Sequence, residues 1–228
     1  MRRVVGRAHR GDGFGYPVGM SIDRERAAMV ERLRAGGIDD PRVLAAMGEV
    51  PRERFVPTAP VAAAYSDHPL DIGLGQTISA PWIVAFCTAA LDLTPDARAL
   101  EIGTGSGYGA AVLARCCRHV LTVERHPSLA ERARVVLAAV GLDNVEVRTG
   151  DGTAGAPSDA PFDGIVVTAM ATAQPPQALL RQLTPDGTLV CPVGQGGKGV
   201  LMRYRAGRTE SLANVRFVPL VAGDPPLR

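Results

Sequence analysis

The chain has 228 residues, with 25 basic and 23 acidic side chains and a formal net charge of +2. A balance so close, with the basic residues scattered rather than gathered in a stripe, argues against a nucleic-acid-binding surface, and no apolar run approaches the ~18 residues of a membrane span. Hydrophobic residues make up 46% but aromatic ones only 4%, so the core must be built from Ala, Val, Leu and Ile, which suits helices packed on an aliphatic sheet.

The first nineteen residues, Met1 to Gly19, are basic and Gly-rich and lack the apolar segment of a signal peptide. They are expected to be disordered, with Met20 a candidate start, and residues 20–228 are expected to form one domain. Ser21 or Asp23 can cap a first helix through Met29, Val30 and Leu33 that ends at Gly36-Gly37. Asp40-Pro41 opens a second helix, broken up by Pro51 and Pro57. The stretch Tyr65 to Pro81 is rich in Gly and Pro and reads mostly as loop, followed by a helix over about Trp82 to Leu91.

From Ala97 the pattern changes. Short apolar runs at Ala97–Ile102, Val120–Glu124, Val145–Thr149, Gly164–Ala169 and Thr188–Val193 read as strands. They alternate with helices at about Tyr108–Cys117, Ser128–Val140 and Pro176–Leu183. Several strands are continuously apolar, as expected when helices cover both faces of a sheet. The alternation predicts an α/β fold with a doubly wound, mostly parallel sheet. Val200–Arg205 and Asn214–Leu220 can add antiparallel edge strands. Cys87, Cys116, Cys117 and Cys191 form no C-x-x-C pair and have no His at ligand spacing, so no metal is expected. They read as reduced, mostly buried thiols of a cytoplasmic protein.

The sharpest local feature is Glu101-Ile102-Gly103-Thr104-Gly105-Ser106-Gly107-Tyr108, where the first of these strands ends and a helix begins. Glycines there let the chain turn tightly and let a ligand approach the backbone, at the carboxyl end of the strands where open α/β sheets bind ligands. No Gly-Lys-Ser/Thr follows, so the loop is not a P-loop. Gly105, Gly107 and Ala110 satisfy the looser dinucleotide fingerprint, and Glu124 lies near the ~20 residues downstream where a ribose-binding acid is expected. Two features favour S-adenosylmethionine over a dinucleotide. Glu101 can pair with an ammonium group, which the methyl donor has and a pyrophosphate lacks. Asp151, in Gly150-Asp151-Gly152 after the third strand, can accept a hydrogen bond from an adenine amino group. One carboxylate per strand end then serves the methionine end (Glu101), the ribose hydroxyls (Glu124) and adenine (Asp151). Each acid taken singly is equally well explained as a helix or turn cap.

From about Met29 to Leu220 the chain resembles the protein-L-isoaspartate O-methyltransferases. The resemblance is carried by Asp39-Asp40-Pro41-Arg42-Val43-Leu44, Val50 to Pro57 (Val-Pro-Arg-Glu-Arg-Phe-Val-Pro), Ala64 to Leu70, Ile72 to Pro81, Glu101 to Tyr108, Gly150-Asp151-Gly152, Pro161-Phe162-Asp163 and Arg216 to Leu220. It implies a class I S-adenosylmethionine-dependent methyltransferase of Rossmann-like fold, acting on the freed α-carboxyl of isoaspartyl residues in damaged proteins and peptides. The ester collapses to a succinimide that reopens partly to normal aspartate, which amounts to protein repair. The resemblance makes Ser79, the Ser of Gln76-Thr77-Ile78-Ser79, the active-site residue and sends that segment over the methyl donor. With Glu101, Gly103, Thr104, Gly105, Gly107, Glu124, Asp151 and Gly152 it forms the expected cofactor site. Read without the resemblance, Ser79 before Ala80-Pro81 is an ordinary helix cap. Asp67, in the loop that precedes it, is either a brace of that loop or a substrate contact.

The reaction asks little of side chains. An α-carboxyl, with a reference pKa of about 3.5, is already ionised at pH 7, and no proton has to be removed. Placement of oxygen, methyl and sulfur in line is expected to supply most of the rate. Two departures from the family pattern stand near the site: Val167 to Thr172 reads Val-Thr-Ala-Met-Ala-Thr where Thr-Ala-Ala-Ala-Pro is usual, and Asp71 stands where Pro is common. They keep open a close rival, a relative that methylates aspartate in one ribosomally made peptide. A monomer is expected.

Overall fold

The structure is a computed structural model and describes residues 18–56 and 58–223. The disorder expected for residues 1–17 therefore lies outside the described residues. Val18 and Gly19 do not follow that expectation, because helix α1 spans Val18–Ala35. It begins upstream of Ser21 and Asp23, so neither caps it. Helix α2 (Pro41–Glu49) starts as read: Asp40 accepts the amides of Arg42 and Val43, and proline occupies the first turn, where its missing N–H costs nothing. A 3-10 turn (Arg52–Phe55) and a short helix α3 (Val61–Tyr65) follow.

Tyr65 to Pro81 is not mostly loop. It contains a hairpin of β1 (Leu70–Gly73) and β2 (Gln76–Ile78), with Leu70 opposite Ile78 and Asp71 opposite Thr77. Strands of four and three residues are too short to show a period, and the Gly73-Leu74-Gly75 turn looks like any other glycine-rich loop. Asp71, the departure from the family pattern, accepts the Gly73 amide at 3.0 Å and so helps shape the turn. Helix α4 (Pro81–Ala90) comes next; its cap residue is Ala80, not Ser79, and it carries no side-chain cap bond.

The core is a seven-stranded sheet in the order β5-β4-β3-β6-β7-β8-β9. Its strands are β3 (Arg98–Ile102), β4 (His119–Glu124), β5 (Val145–Thr149), β6 (Phe162–Val167), β7 (Leu183–Gln195), β8 (Lys198–Arg205) and β9 (Arg208–Arg216). The first five are parallel and the last two antiparallel. Helices α5 (Tyr108–Cys116), α6 (Pro127–Ala139) and α7 (Gln177–Leu180) provide the crossovers. Alternation along β3 and β4 sorts the core. Ala99 and Val120 face the cluster built by α1, α2, α4, α5 and α6, whereas Leu100, Ile102, Leu121 and Val123 face a second cluster with Phe162, Ile165 and Leu179. Asp163 accepts the Arg98 amide at 2.8 Å and ties the start of β6 to the start of β3. Strand order reverses between β3 and β6, which opens a crevice at their carboxyl ends.

The last strand differs from expectation. β9 ends at Arg216, and the chain then leaves the sheet. Val218 accepts the Met170 amide at 2.7 Å, and Leu220 donates to the Met170 carbonyl at 2.8 Å. Those bonds lead residues 218–221 across the crevice rather than along the edge of the sheet.

Candidate active site

The crevice is a cleft of about 830 Å³, counting the solvent at its mouth. One wall is the Gln76–Ser79 segment, the floor is the Glu101–Ser106 loop with Glu124, and residues 218–221 close the far side. Of the residues expected from sequence, Gln76, Thr77, Ile78, Ser79, Glu101, Gly103, Thr104, Gly105, Glu124 and Gly152 all line it.

Gly107 and Asp151 do not line the cleft. Gly107 sits at the start of α5 with Ala133 and Leu137 of α6 against it, so its smallness serves helix packing. Asp151 caps the 3-10 turn Gly152–Ala154, accepting the Thr153 amide at 2.8 Å, the Thr153 hydroxyl at 2.7 Å and the Gly223 amide at 2.7 Å. Burial pushes its pKa up, but those hydrogen bonds prevail and hold it below the ordinary value. Its carboxylate thus fastens the C-terminal segment beside the cleft.

The loop is shaped for close approach. Gly103 has φ of 97°, a left-handed conformation that disfavours any side chain, and a Cβ there would strike the Thr168 hydroxyl. That hydroxyl donates toward the carbonyls of Ile102 (3.0 Å) and Gly103 (2.8 Å), pinning the end of β6 to the loop at the switch point. On the other side Glu124 accepts the Gly105 amide at 2.8 Å and the His126 amide at 2.9 Å, so it holds the loop as well as facing the cleft.

Glu101 is 1% exposed. The absence of a side chain on Gly109 makes room for it, since a Cβ there would overlap its carboxylate. Thr122 donates to Glu101 at 2.6 Å, and the Thr104 hydroxyl lies 2.7 Å from that of Thr122. Burial raises the Glu101 pKa to about 8, with nearby Glu124 adding to the rise and the Thr122 hydrogen bond opposing it. Among the described residues neither acid has an ion-pair partner within 4.0 Å. Two buried acids without an ion-pair partner suit a positively charged ligand. S-adenosylmethionine, with an ammonium and a sulfonium, fits that donor set and the glycine cradle.

Arg125, Gly109 and Val221, to which sequence reasoning gave no role, also line the cleft, as do His126, read as a structural histidine, and Val218 to Leu220, read as part of an edge strand. Arg125 and His126 directly follow Glu124 and could have been inferred from that adjacency. Arg216 to Leu220 carries part of the resemblance but reads as an edge strand, and only the Met170 bonds bring residues 218–221 to the cleft. Ser79 stands on the wall shared with Glu101, and its hydroxyl makes no hydrogen bond to another side chain or backbone group among the described residues. No group of three or more His, Cys, Asp or Glu among the described residues is placed to hold a metal.

A doubly wound sheet with a glycine loop after its central strand, paired buried acids and no phosphate-binding lysine defines the class: an S-adenosylmethionine-dependent methyltransferase. The comparisons narrow it. Residues 24–224 match the family described as protein-L-isoaspartate(D-aspartate) O-methyltransferase, and the chain belongs to that family. It is 52% identical over 207 residues to protein-L-isoaspartate O-methyltransferase 2 of Pelobacter propionicus, covering 88% of this chain and 92% of that one. Identity to the protein-L-isoaspartate O-methyltransferase of Methanoregula boonei is also 52%, over 86% of this chain and 93% of that one. Among solved structures, a protein-L-isoaspartate O-methyltransferase superposes with a TM-score of 0.78 at 28% identity, over 87% of this chain and 66% of that one. A Plasmodium falciparum chain assigned to the same activity, solved in complex with S-adenosyl-L-homocysteine, gives 0.74 at 25% identity over 86% of this chain and 98% of that one.

Proposed function

We propose that the chain transfers the methyl group of S-adenosylmethionine to the free α-carboxyl of L-isoaspartyl residues in damaged proteins and peptides, the activity its relatives are named for. The observation that carries this reading is Ser79: a hydroxyl with no other commitment among the described residues, on the cleft wall it shares with the acid-lined cofactor end. The bound sulfonium supplies an activated methyl. The chain's own residues then have to bind, orient and exclude water. Glu101 would hold the ammonium and Glu124 the ribose hydroxyls, and Ser79 would donate to one oxygen of the substrate carboxylate, leaving the other free to take the methyl as the sulfonium departs as a neutral thioether. No general base is needed, because the nucleophile is already ionised, and in-line placement supplies the rate.

Asp151 acts on this reading by fastening residues 218–223 beside the adenine end through Gly223. The four cysteines are unpaired and buried, which supports a reducing compartment, the cytoplasm, and no helix among the described residues is long and apolar enough to cross a membrane.

The test is one peptide made twice, with isoaspartate or aspartate at the same position, incubated with enzyme and S-adenosylmethionine and followed by mass. A methyl ester on the isoaspartyl peptide alone is expected. Methylation of the aspartyl peptide alone, or of neither while the methyl donor binds, would overturn the repair reading in favour of a dedicated peptide substrate.

A further inference from the structure

Behind Ser79 lies an arginine that stability alone does not explain. Arg52, in the 3-10 turn after α2, is fully buried, yet among the described residues no carboxylate lies within ion-pair distance of it. Its Nε donates to the Ala64 carbonyl and its Nη2 to the Ser79 carbonyl, each at 2.7 Å. The guanidinium lies over the Tyr108 ring, 4.7 Å from the centroid, and its Nη1 has no hydrogen-bond partner. Burial disfavours its charge, and Asp67 supports that charge only from beyond ion-pair distance; taking a cation out of water without an ion-pair partner is costly, and an apolar side chain of similar volume would fill the space at less cost. What the arginine provides instead is a rigid planar fork that reaches three segments at once: the end of α3, the segment carrying Ser79, and the first residue of α5 after the glycine loop.

A second side chain holds the same segment from the other end. Asp67 accepts the Trp82 amide at 2.8 Å. Trp82 is in the first turn of α4, whose cap residue Ala80 has no side-chain acceptor. Asp67 therefore satisfies from a preceding loop an amide that a local cap would otherwise take. The Ser79 carbonyl is fixed by Arg52 and the amide three residues on by Asp67.

We propose that Arg52 and Asp67 are positioning residues for methyl transfer, a two-point clamp that fixes the backbone on either side of Ala80 and thereby aims the Ser79 hydroxyl into the cleft. The assignment rests on the functional reading above and concerns only how Ser79 is held. Neither residue lines the cleft, so both act on it through the backbone of the Ser79 segment. A hydroxyl that must hold a carboxylate in line with a methyl group tolerates little wander, and displacement of about 1 Å can cost about a hundredfold in rate.

The test compares wild type, Arg52→Lys, Arg52→Met and Asp67→Ala in the full-length protein, each assayed well below its own melting midpoint. Binding of S-adenosylmethionine is measured by calorimetry, and kcat and KM are measured with the isoaspartyl peptide. Arg52→Met is expected to lower kcat about tenfold or more, with cofactor affinity within about threefold of wild type. Lysine should recover part of that loss, and Asp67→Ala should show the same pattern more weakly. Variants that lose melting temperature but keep wild-type kcat would overturn the assignment and leave Arg52 a purely structural residue. Equal losses of kcat and cofactor binding would overturn it too, since they would mean general collapse of the site. Should both Arg52 variants fail to fold, Asp67→Ala decides by the same criterion, because Asp67 is exposed. A wild-type enzyme inactive on the isoaspartyl peptide would instead sink the functional reading and this assignment with it, an outcome visible before any variant is compared.

Discussion

Glu101 accepts a 2.6 Å hydrogen bond from Thr122, the residue directly beside it across the β3–β4 ladder. Both side chains point to the sheet face covered by α5, where water does not reach. Burial outweighs that hydrogen bond, which opposes the rise, and with nearby Glu124 adding to it puts the Glu101 pKa at about 8, which makes the acid a reporter of cofactor binding.

The raised pKa has a definite stability consequence. The native state binds a proton at Glu101 that the unfolded chain releases between the ordinary 4.5 and about 8. The associated stabilisation is complete below that window and lost as pH rises through it. The melting temperature of the cofactor-free protein, relative to Glu101→Gln, should therefore fall from pH 5 to pH 8 (roughly the span between those two values). Saturating S-adenosylmethionine should flatten the difference, because its ammonium favours the ionised acid. Thermal unfolding at constant ionic strength measures both, and a flat difference without cofactor would show that Glu101 does not titrate there.

Gly109→Ala tests the space that Glu101 occupies. Alanine is a better helix former than glycine by about 1 kcal/mol, so helix α5 gains locally, while the new methyl overlaps the Glu101 carboxylate. Cofactor affinity should drop at least about tenfold, equivalent to about 1.4 kcal/mol, as Glu101 is pushed from its place. Calorimetric titration with S-adenosylmethionine checks it; unchanged affinity would mean that the carboxylate can move aside without consequence.

Ser79→Ala separates the hydroxyl from the helix start. Because Ala80 is the cap residue of α4 and Ser79 makes no cap bond, the melting temperature should stay within a few degrees of wild type, the shift expected for less than about 1 kcal/mol. On the isoaspartyl peptide kcat should fall about tenfold or more, the scale of one lost hydrogen bond to a charged group, about 1.5–3 kcal/mol. A variant with full turnover would remove Ser79 from the mechanism.

The thiols should be silent. Cys87, Cys116, Cys117 and Cys191 are all buried and unpaired, and burial pushes Cys87, Cys116 and Cys191 up to about 12 and Cys117 to about 11. With so little thiolate at pH 8, a disulfide exchange reagent should label almost none of them in the native protein and all four after unfolding. Rapid labelling of Cys87, Cys116 or Cys117 in the native protein would mean that the helical layer around α4 and α5 opens readily, and of Cys191 that the opposite face of the sheet does.

Much of the molecule is legible in neighbouring residues. Asp40-Pro41 specifies the start of α2 because an acceptor and a fixed φ act within one turn. The apolar runs of β3, β4 and β6 follow from burial on both faces, and the glycine loop declares itself because only glycine suits the turn at Gly103. The family blocks around Ser79 mark the wall of the cleft although the hairpin that carries them has no local period.

Tertiary structure decided the rest. It begins α1 upstream of every cap candidate, turns Asp151 toward Gly223 instead of the cleft, assigns Gly107 to the packing of α5 on α6, and sends residues 218–221 across the site through Met170. It also joins Arg52 to Ser79 over 27 positions and Asp67 to Trp82 over 15. The division has a physical cause. Turn chemistry, capping and hydrophobic period act between residues a few positions apart, so a sequence by itself specifies them. The charge state of Glu101, the aim of Ser79 and the far wall of the cleft depend on which distant segments exclude water from one another, and that is settled only when the sheet has assembled.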